Sequence, residues 1–183
     1  MTTLDDCVAL VSDAPNCLAF LRAWQGWRRD GGVPTTADVR PEDLGRAMSA
    51  LAVYDITDEN RLTFRLAGDV QDLMAFRPLK GQVLSDLLDP PEHAATIARA
   101  RALRRLPCGV MTLTTTTAKS GRQATLRSLF LPVADARTGA VTRAFSAVDP
   151  GARPGRGLPD PTVRIAVAER VDFIDLGFGV PAA

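Results

Sequence analysis

The chain has one histidine, three cysteines and a cluster of arginines, and these residues bound the chemistry open to it. A lone histidine, His93, excludes a His–His metal pair and most acid–base constellations. It stands near the start of PPEHAATIARARALRRL (90–106), on one helical face with Ile97, Ala100 and Arg104. Cys7, Cys17 and Cys108 are scattered and lack any C-x-x-C spacing, so free thiols in a reducing compartment are the simplest expectation. Asp55 and Asp58 are the kind of carboxylate pair that does acid–base work, but both fall at a turn, where carboxylates are usually solvated. No G-x-S-x-G, H-E-x-x-H or phosphate loop is present. Arg99, Arg101, Arg104 and Arg105 close the 90–106 segment, where cations complement a helix dipole on a solvated face or offer a docking patch to an acidic partner. No aromatic residues are interleaved with them, which argues against nucleic acid. The residue types point away from catalysis.

The elements that would position these residues follow from periodicity. LRAWQGWRRDGGVP (21–34) continues a helix in which Leu18, Phe20, Leu21, Trp24 and Trp27 share half of the circumference. Asn16 is placed to cap its start, and Gly31, Gly32 and Pro34 end it. VRPEDL opens a short helix. LAVYDIT (51–57) and RLTFRLAG (61–68) are strands joined by a DEN turn. Residues 69–89 hold short helical pieces, and 90–106 forms the longest helix of the middle region. Strands follow at 108–117, 122–134 and 141–148. This order predicts an α+β fold with a five-stranded antiparallel sheet and short helices on one face. In SLFLPVA the apolar residues are successive, as in a strand covered on both faces. The tryptophan helix is the available cover for the second face. The organisation expected is an N-terminal helical extension (1–50), a domain (51–149), a Pro/Gly linker (150–161) and an apolar C-terminal tail (162–183).

With 46% hydrophobic and 23% charged residues, the chain is globular. A net charge of +1 gives no reason to expect nucleic acid or an anionic membrane. The N-terminus has acids where a signal peptide needs basic residues, and no apolar run reaches spanning length. A cytoplasmic protein is expected.

The succession strand–strand–short helices–long helix–three strands resembles a PAS sensory domain. More narrowly it resembles a bacterial group of short, stand-alone PAS proteins with L-x-x-W-x-x-x-R-x-G-G-x-x-P ahead of the domain. Leu21, Trp24, Arg28, Gly31, Gly32 and Pro34 match that pattern nearly in register. VRPEDL, LTFRLAG (Phe64, Arg65, Leu66, Gly68) and Leu79, Gly81 and Leu84 match further segments, and the resemblance covers roughly 18–149. It implies a cupped sheet enclosing a small cavity, and signal sensing or protein interaction instead of catalysis. It names no cofactor, since such cavities hold haem, flavin, small acids or nothing.

On this basis Phe64 or Leu66, Ile97, Met111 and Leu126 are expected in an apolar ligand pocket. His93 lies on the helix that supplies the proximal ligand in haem-binding relatives; a partly exposed histidine at a helix start is the competing reading. Residues 69–89 contain no cysteine for a flavin adduct, and a colourless protein is expected. Leu21, Trp24 and Trp27 are expected at a homodimer interface, with lid-like capping inside one chain as the alternative. The function expected is non-enzymatic sensing of a small molecule, relayed to an unidentified signalling protein or a second copy. The alternative is a ligand-free scaffold dimer.

Overall fold

The computed structural model describes residues 2–75, 77–117, 121, 123–151, 164–165 and 168–182. A two-residue strand β1 (Thr2–Thr3) leads into α1 (Leu4–Leu10), which Thr3 and Asp6 start as a reciprocal capping box. Helix α2 (Pro15–Trp27) follows, then 3-10 turns over Pro41–Ala50 kinked at Gly45, whose φ of 48° suits glycine. Strands β2 (Leu51–Asp55) and β3 (Thr63–Ala67) form a hairpin. Helix α3 (Asp69–Ala75), a 3-10 turn (Leu84–Leu87) and α4 (Pro90–Arg105) cross one face. The chain then runs through β4 (Gly109–Thr117), β5 (Gln123–Ala134) and β6 (Val141–Pro150), with β7 (Arg164–Ile165) and β8 (Arg170–Asp175) beyond them.

These strands make one sheet in the order β1-β8-β4-β5-β6-β2-β3, with β7 also beside β4. The five expected strands form its antiparallel block. The sheet is nonetheless larger than expected and mixed: β8 adds antiparallel to β4, and β1 pairs in parallel with β8. Two neighbours of Gly109 explain how β8 comes so close. A Cβ there would stand 3.1 Å from both Ile174 and Leu131. The expected linker lies, beyond Gly151, outside the described residues.

Strand β5 separates two cores. Leu129, Leu131 and Val133 face α2, together with Phe20, Leu21 and Trp24. Phe130 faces α3 and α4, in the layer with Tyr54, Phe64 and Leu103. Both faces of the strand are thus covered, which is why its apolar residues are successive.

Helix α2 is locked to the sheet. The Trp24 indole donates to the Pro132 carbonyl at 2.9 Å, and Trp27 donates to Asp43 at 2.9 Å while its ring meets Phe145 edge-on. Asn16 does not cap the helix as expected. Ala14 holds the cap position, Pro15 begins the helix, and the free amides of Asn16 and Cys17 donate to the Asp149 carboxylate at 3.1 and 2.7 Å. A strand residue therefore supplies the acceptor that the helix start needs.

Two residues of the sequence patterns, Arg28 and Gly68, have structural causes. Arg28 stacks 5.2 Å from the Trp24 ring and donates to the carbonyls of Gly32 (3.0 Å), Gly31 and Leu176 (2.9 Å). It ties the end of α2 to its own loop and to the chain after β8. A Cβ on Gly68 would stand 2.3 Å from the Ser49 carbonyl oxygen, so only glycine lets β3 end there.

Candidate functional site

Helix α4 places its cavity-facing residues by helical spacing. Glu92, Thr96, Arg99, Ala100 and Leu103 follow at i, i+4, i+7, i+8 and i+11, a single stripe turned toward the sheet. Opposite them, β4 contributes Val110, Thr112 and Thr114, and β5 contributes Leu126, Ser128 and Phe130. Between helix and sheet lies a cavity of about 110 Å³. Phe64, Met74 and Leu79 close its apolar side, and the Tyr54 ring packs 4.6 Å from Phe64 and 5.9 Å from Phe130. Burial pushes the Tyr54 phenol up to about 12, so it stays a neutral hydroxyl.

One part of the wall is charged. Glu92 is 3% exposed, too buried to be solvated, and it forms an ion pair with Arg99. Thr96 donates to Glu92 at 3.2 Å, Arg99 donates to Thr96 at 2.7 Å, and the Ala168 amide donates to the other Glu92 oxygen at 3.0 Å. Each carboxylate oxygen thus has a donor, as a buried charge requires. The contact with Ala168 joins the cavity wall to the chain entering β8.

The structure brings together only part of the expected pocket. Phe64 and Leu126 line the cavity. Leu66 does not: it is 40% exposed. A β-bulge is the cause, because Phe64 pairs with Tyr54 while Leu66 pairs with Val53, and consecutive residues of β2 point to opposite faces. Met111 also lies on the other face, packed in the core with Trp24. The β4 residues turned inward are Val110, Thr112 and Thr114, one position out of step with it. Ile97 is buried in the layer under α4 without lining the cavity. His93 is half-buried and likewise does not line it; the adjacent Glu92 does.

The expected dimer residues are corrected too. Leu21 and Trp24 are 0% exposed and Trp27 is 3% exposed, because α2 lies flat on the sheet and the rings are consumed within one chain. The arginines after Arg99 have partners of their own. Arg101 donates to the Glu59 carbonyl (3.2 Å) and to Asn60 (3.0 Å), Arg104 donates to the Thr57 carbonyl (3.0 Å), and Arg105 lies 3.8 Å from Glu59. They hold the β2–β3 turn. Asp55 serves as a strut, accepting from Arg65 at 2.6 Å and ion-paired with Arg143 at 3.3 Å.

Sequence reasoning does not single out Glu92 or Thr96 and places Arg99 on a solvated face or docking patch, although a signal for the cavity exists. Their spacing puts a carboxylate, a hydroxyl and a guanidinium on the stripe that ends in Leu103. Burial raises all three thiols, Cys7 to about 12, Cys108 to about 11 and Cys17 well above its ordinary value, so none is a thiolate near neutral pH. Among the described residues no group of three or more His, Cys, Asp and Glu side chains is placed to hold a metal ion. Among them, too, no helix is long and apolar enough to cross a membrane.

Comparison with known proteins follows this geometry. Among solved structures the chain is similar to a Rhodobacter sphaeroides LOV protein, with 17% identity and a TM-score of 0.45 over 58% of this chain and 61% of that one. It therefore spans less than two thirds of that protein's length. Drosophila melanogaster Cycle PAS-B with bound ethylene glycol is similar at 10% identity and TM-score 0.44, over 55% of this chain and 97% of the other. A light-oxygen-voltage domain from work with a flavin analogue is similar at 11% identity and TM-score 0.47, over 61% and 83%. No curated protein matches the chain. The family model of the PAS domain matches residues 13–148, well over half of the sequence, and the chain belongs to the PAS domain family.

Proposed function

We propose that this chain is a non-enzymatic sensory protein of the cytoplasm that takes a small ligand into the α4–sheet cavity and relays occupancy through protein contacts. The observation that carries this reading is the cavity itself: a mostly apolar space between helix and sheet with a buried Glu92–Arg99 ion pair in its wall. Pockets that select small molecules combine apolar walls with a few placed polar groups. The surroundings also support a relay. Val148 lines the cavity, and the next residue, Asp149, holds the start of α2. Contact with a signalling partner, or with a second copy in the expected homodimer, would use surface other than the tryptophans.

A cavity of about 110 Å³ is far below the roughly 300–1,000 Å³ of pockets for drug-sized ligands. Haem and flavin ring systems do not fit it as it stands, and a colourless protein is expected. The same small volume favours a second reading, a ligand-free scaffold. Mass spectrometry of the denatured extract, set beside the absorption spectrum of the native protein, separates the two. A small molecule released in stoichiometric amount from the wild type, and absent from Ala100→Leu, supports sensing. An empty extract, with no change in stability on adding small neutral organic molecules, supports the scaffold.

A further inference from the structure

Within the sensing reading, the donors and charges around the cavity specify a ligand class. Arg99 spends its two hydrogen bonds, to Glu92 and Thr96, from Nη2 alone. Its Nε and Nη1 donate to no described residue, yet the side chain is only 15% exposed and lines the cavity. Thr112, Thr114 and Ser128 are also 6–7% exposed residues of the wall, and their hydroxyls can either donate or accept. The one carboxylate of the wall is already engaged at both oxygens, by Arg99 and Thr96 on one and Ala168 on the other. Arg99 is therefore the one side chain of the wall that can only donate. Its Nε and Nη1 have no use for a donor, so the guest that complements them brings an acceptor.

Charge narrows the class. The Glu92 carboxylate already balances Arg99, and a carboxylate guest would add an unbalanced negative charge to a largely apolar space. Size narrows it again. An apolar cavity of about 150 Å³ takes benzene, and this one is somewhat smaller. We infer that the cavity binds a small neutral molecule, chiefly hydrocarbon, whose single carbonyl or ether oxygen accepts hydrogen bonds from the Arg99 side of the wall. The reading rests on the sensing function proposed above.

Titration calorimetry with cyclopentane, cyclopentanone and isobutyrate tests it. The three probes are of similar size and differ in the acceptor and its charge. The wild type is expected to bind cyclopentanone about tenfold more tightly than cyclopentane, the scale of one charge-assisted hydrogen bond, and to bind isobutyrate more weakly than either. In the double variant Glu92→Gln/Arg99→Met, which removes both charges together, cyclopentanone should fall to the affinity of cyclopentane while cyclopentane is retained. Equal binding of cyclopentane and cyclopentanone by the wild type overturns the acceptor requirement and leaves the sensing function standing. Preference for isobutyrate overturns neutrality. Binding of none of the three overturns both this inference and the sensing reading. Should the double variant not fold, the ranking by the wild type decides alone.

Discussion

The two faces of the sheet are built on opposite terms. The face under α2 is built from large side chains: Trp24, Phe20, Leu21, Leu129 and Leu131 are all 0% exposed and pack in one core. The face under α4 covers the same strands with smaller inward residues, such as Thr112, Thr114, Ser128 and Ala144, and keeps a cavity. Dense packing transmits strain but admits nothing, whereas a gap admits a guest at a cost in stability. On the proposed function, the tryptophan face anchors the sheet and the α4 face is the one that responds.

The harshest way to break this contrast is to hollow the packed face. Trp24→Ala removes a fully buried ring and leaves its Pro132 partner without a donor. A loss of about 3–5 kcal/mol in urea denaturation is expected. A loss below about 1 kcal/mol would mean that α2 is only a loosely held lid.

Acid tests the strand framework that both faces share. Burial would raise the Asp55 carboxyl, but hydrogen bonds from Thr57 and Arg65, with Arg143 nearby, outweigh it and bring the group down to about 2. Because the folded value is depressed, its contribution is complete above the ordinary carboxylate range and is lost as pH falls from about 4 toward 2. The contribution is on the order of 2 kcal/mol. Urea midpoints taken between pH 5 and pH 2 should fall less steeply for Asp55→Asn than for the wild type. Parallel slopes would contradict this.

Removing the acceptor at the start of α2 should cost less. Asp149→Ala deprives the Asn16 and Cys17 amides of their partner, and a loss of about 1–2 kcal/mol is expected in the same assay. No loss would show that another group caps α2 and that β6 does not hold the helix.

Adding volume sharpens the contrast most economically. Ala47 is 0% exposed in the packed core, and Ala100 lines the cavity. Enlarging the first, as Ala47→Leu, should cost about 1–3 kcal/mol. Enlarging the second, as Ala100→Leu, should cost under about 1 kcal/mol because the new methyl groups enter existing space. Equal costs would mean that the α4 face is as tightly filled as the other.

Much of the framework was legible in the sequence, and the failures have identifiable causes. The successive apolar residues of SLFLPVA reported two covered faces, and α2 is indeed the second cover. Strand β8 was hidden because RVDFID alternates charged and apolar residues after a Pro/Gly stretch, as a docked tail also would. Leu66 could not be placed because alternation does not reveal a bulge; the shift appears only in the pairing with β2. Met111 drew attention because it is apolar, while the true inward neighbours, Thr112 and Thr114, look like residues of a solvated face. A cavity with polar groups in its wall disguises itself in this way. The offset on α4 has the same origin: Ile97 belongs to the apolar layer, whereas Glu92 and Arg99, charged residues that composition assigns to a surface, line the space beside it.

The central claim is that this chain responds to a guest on one face of its sheet and not on the other. Amide and indole NMR spectra of the uniformly labelled protein, recorded while cyclopentanone is added, test it most directly. The expected result is saturable shifts at Thr112, Ser128, Ala100 and Val148, with smaller ones at Asn16 and Cys17 where Asp149 passes the change to α2. The Trp24 indole resonance should stay still. Shifts centred on the two indoles, or no saturable shift at all, would contradict the account.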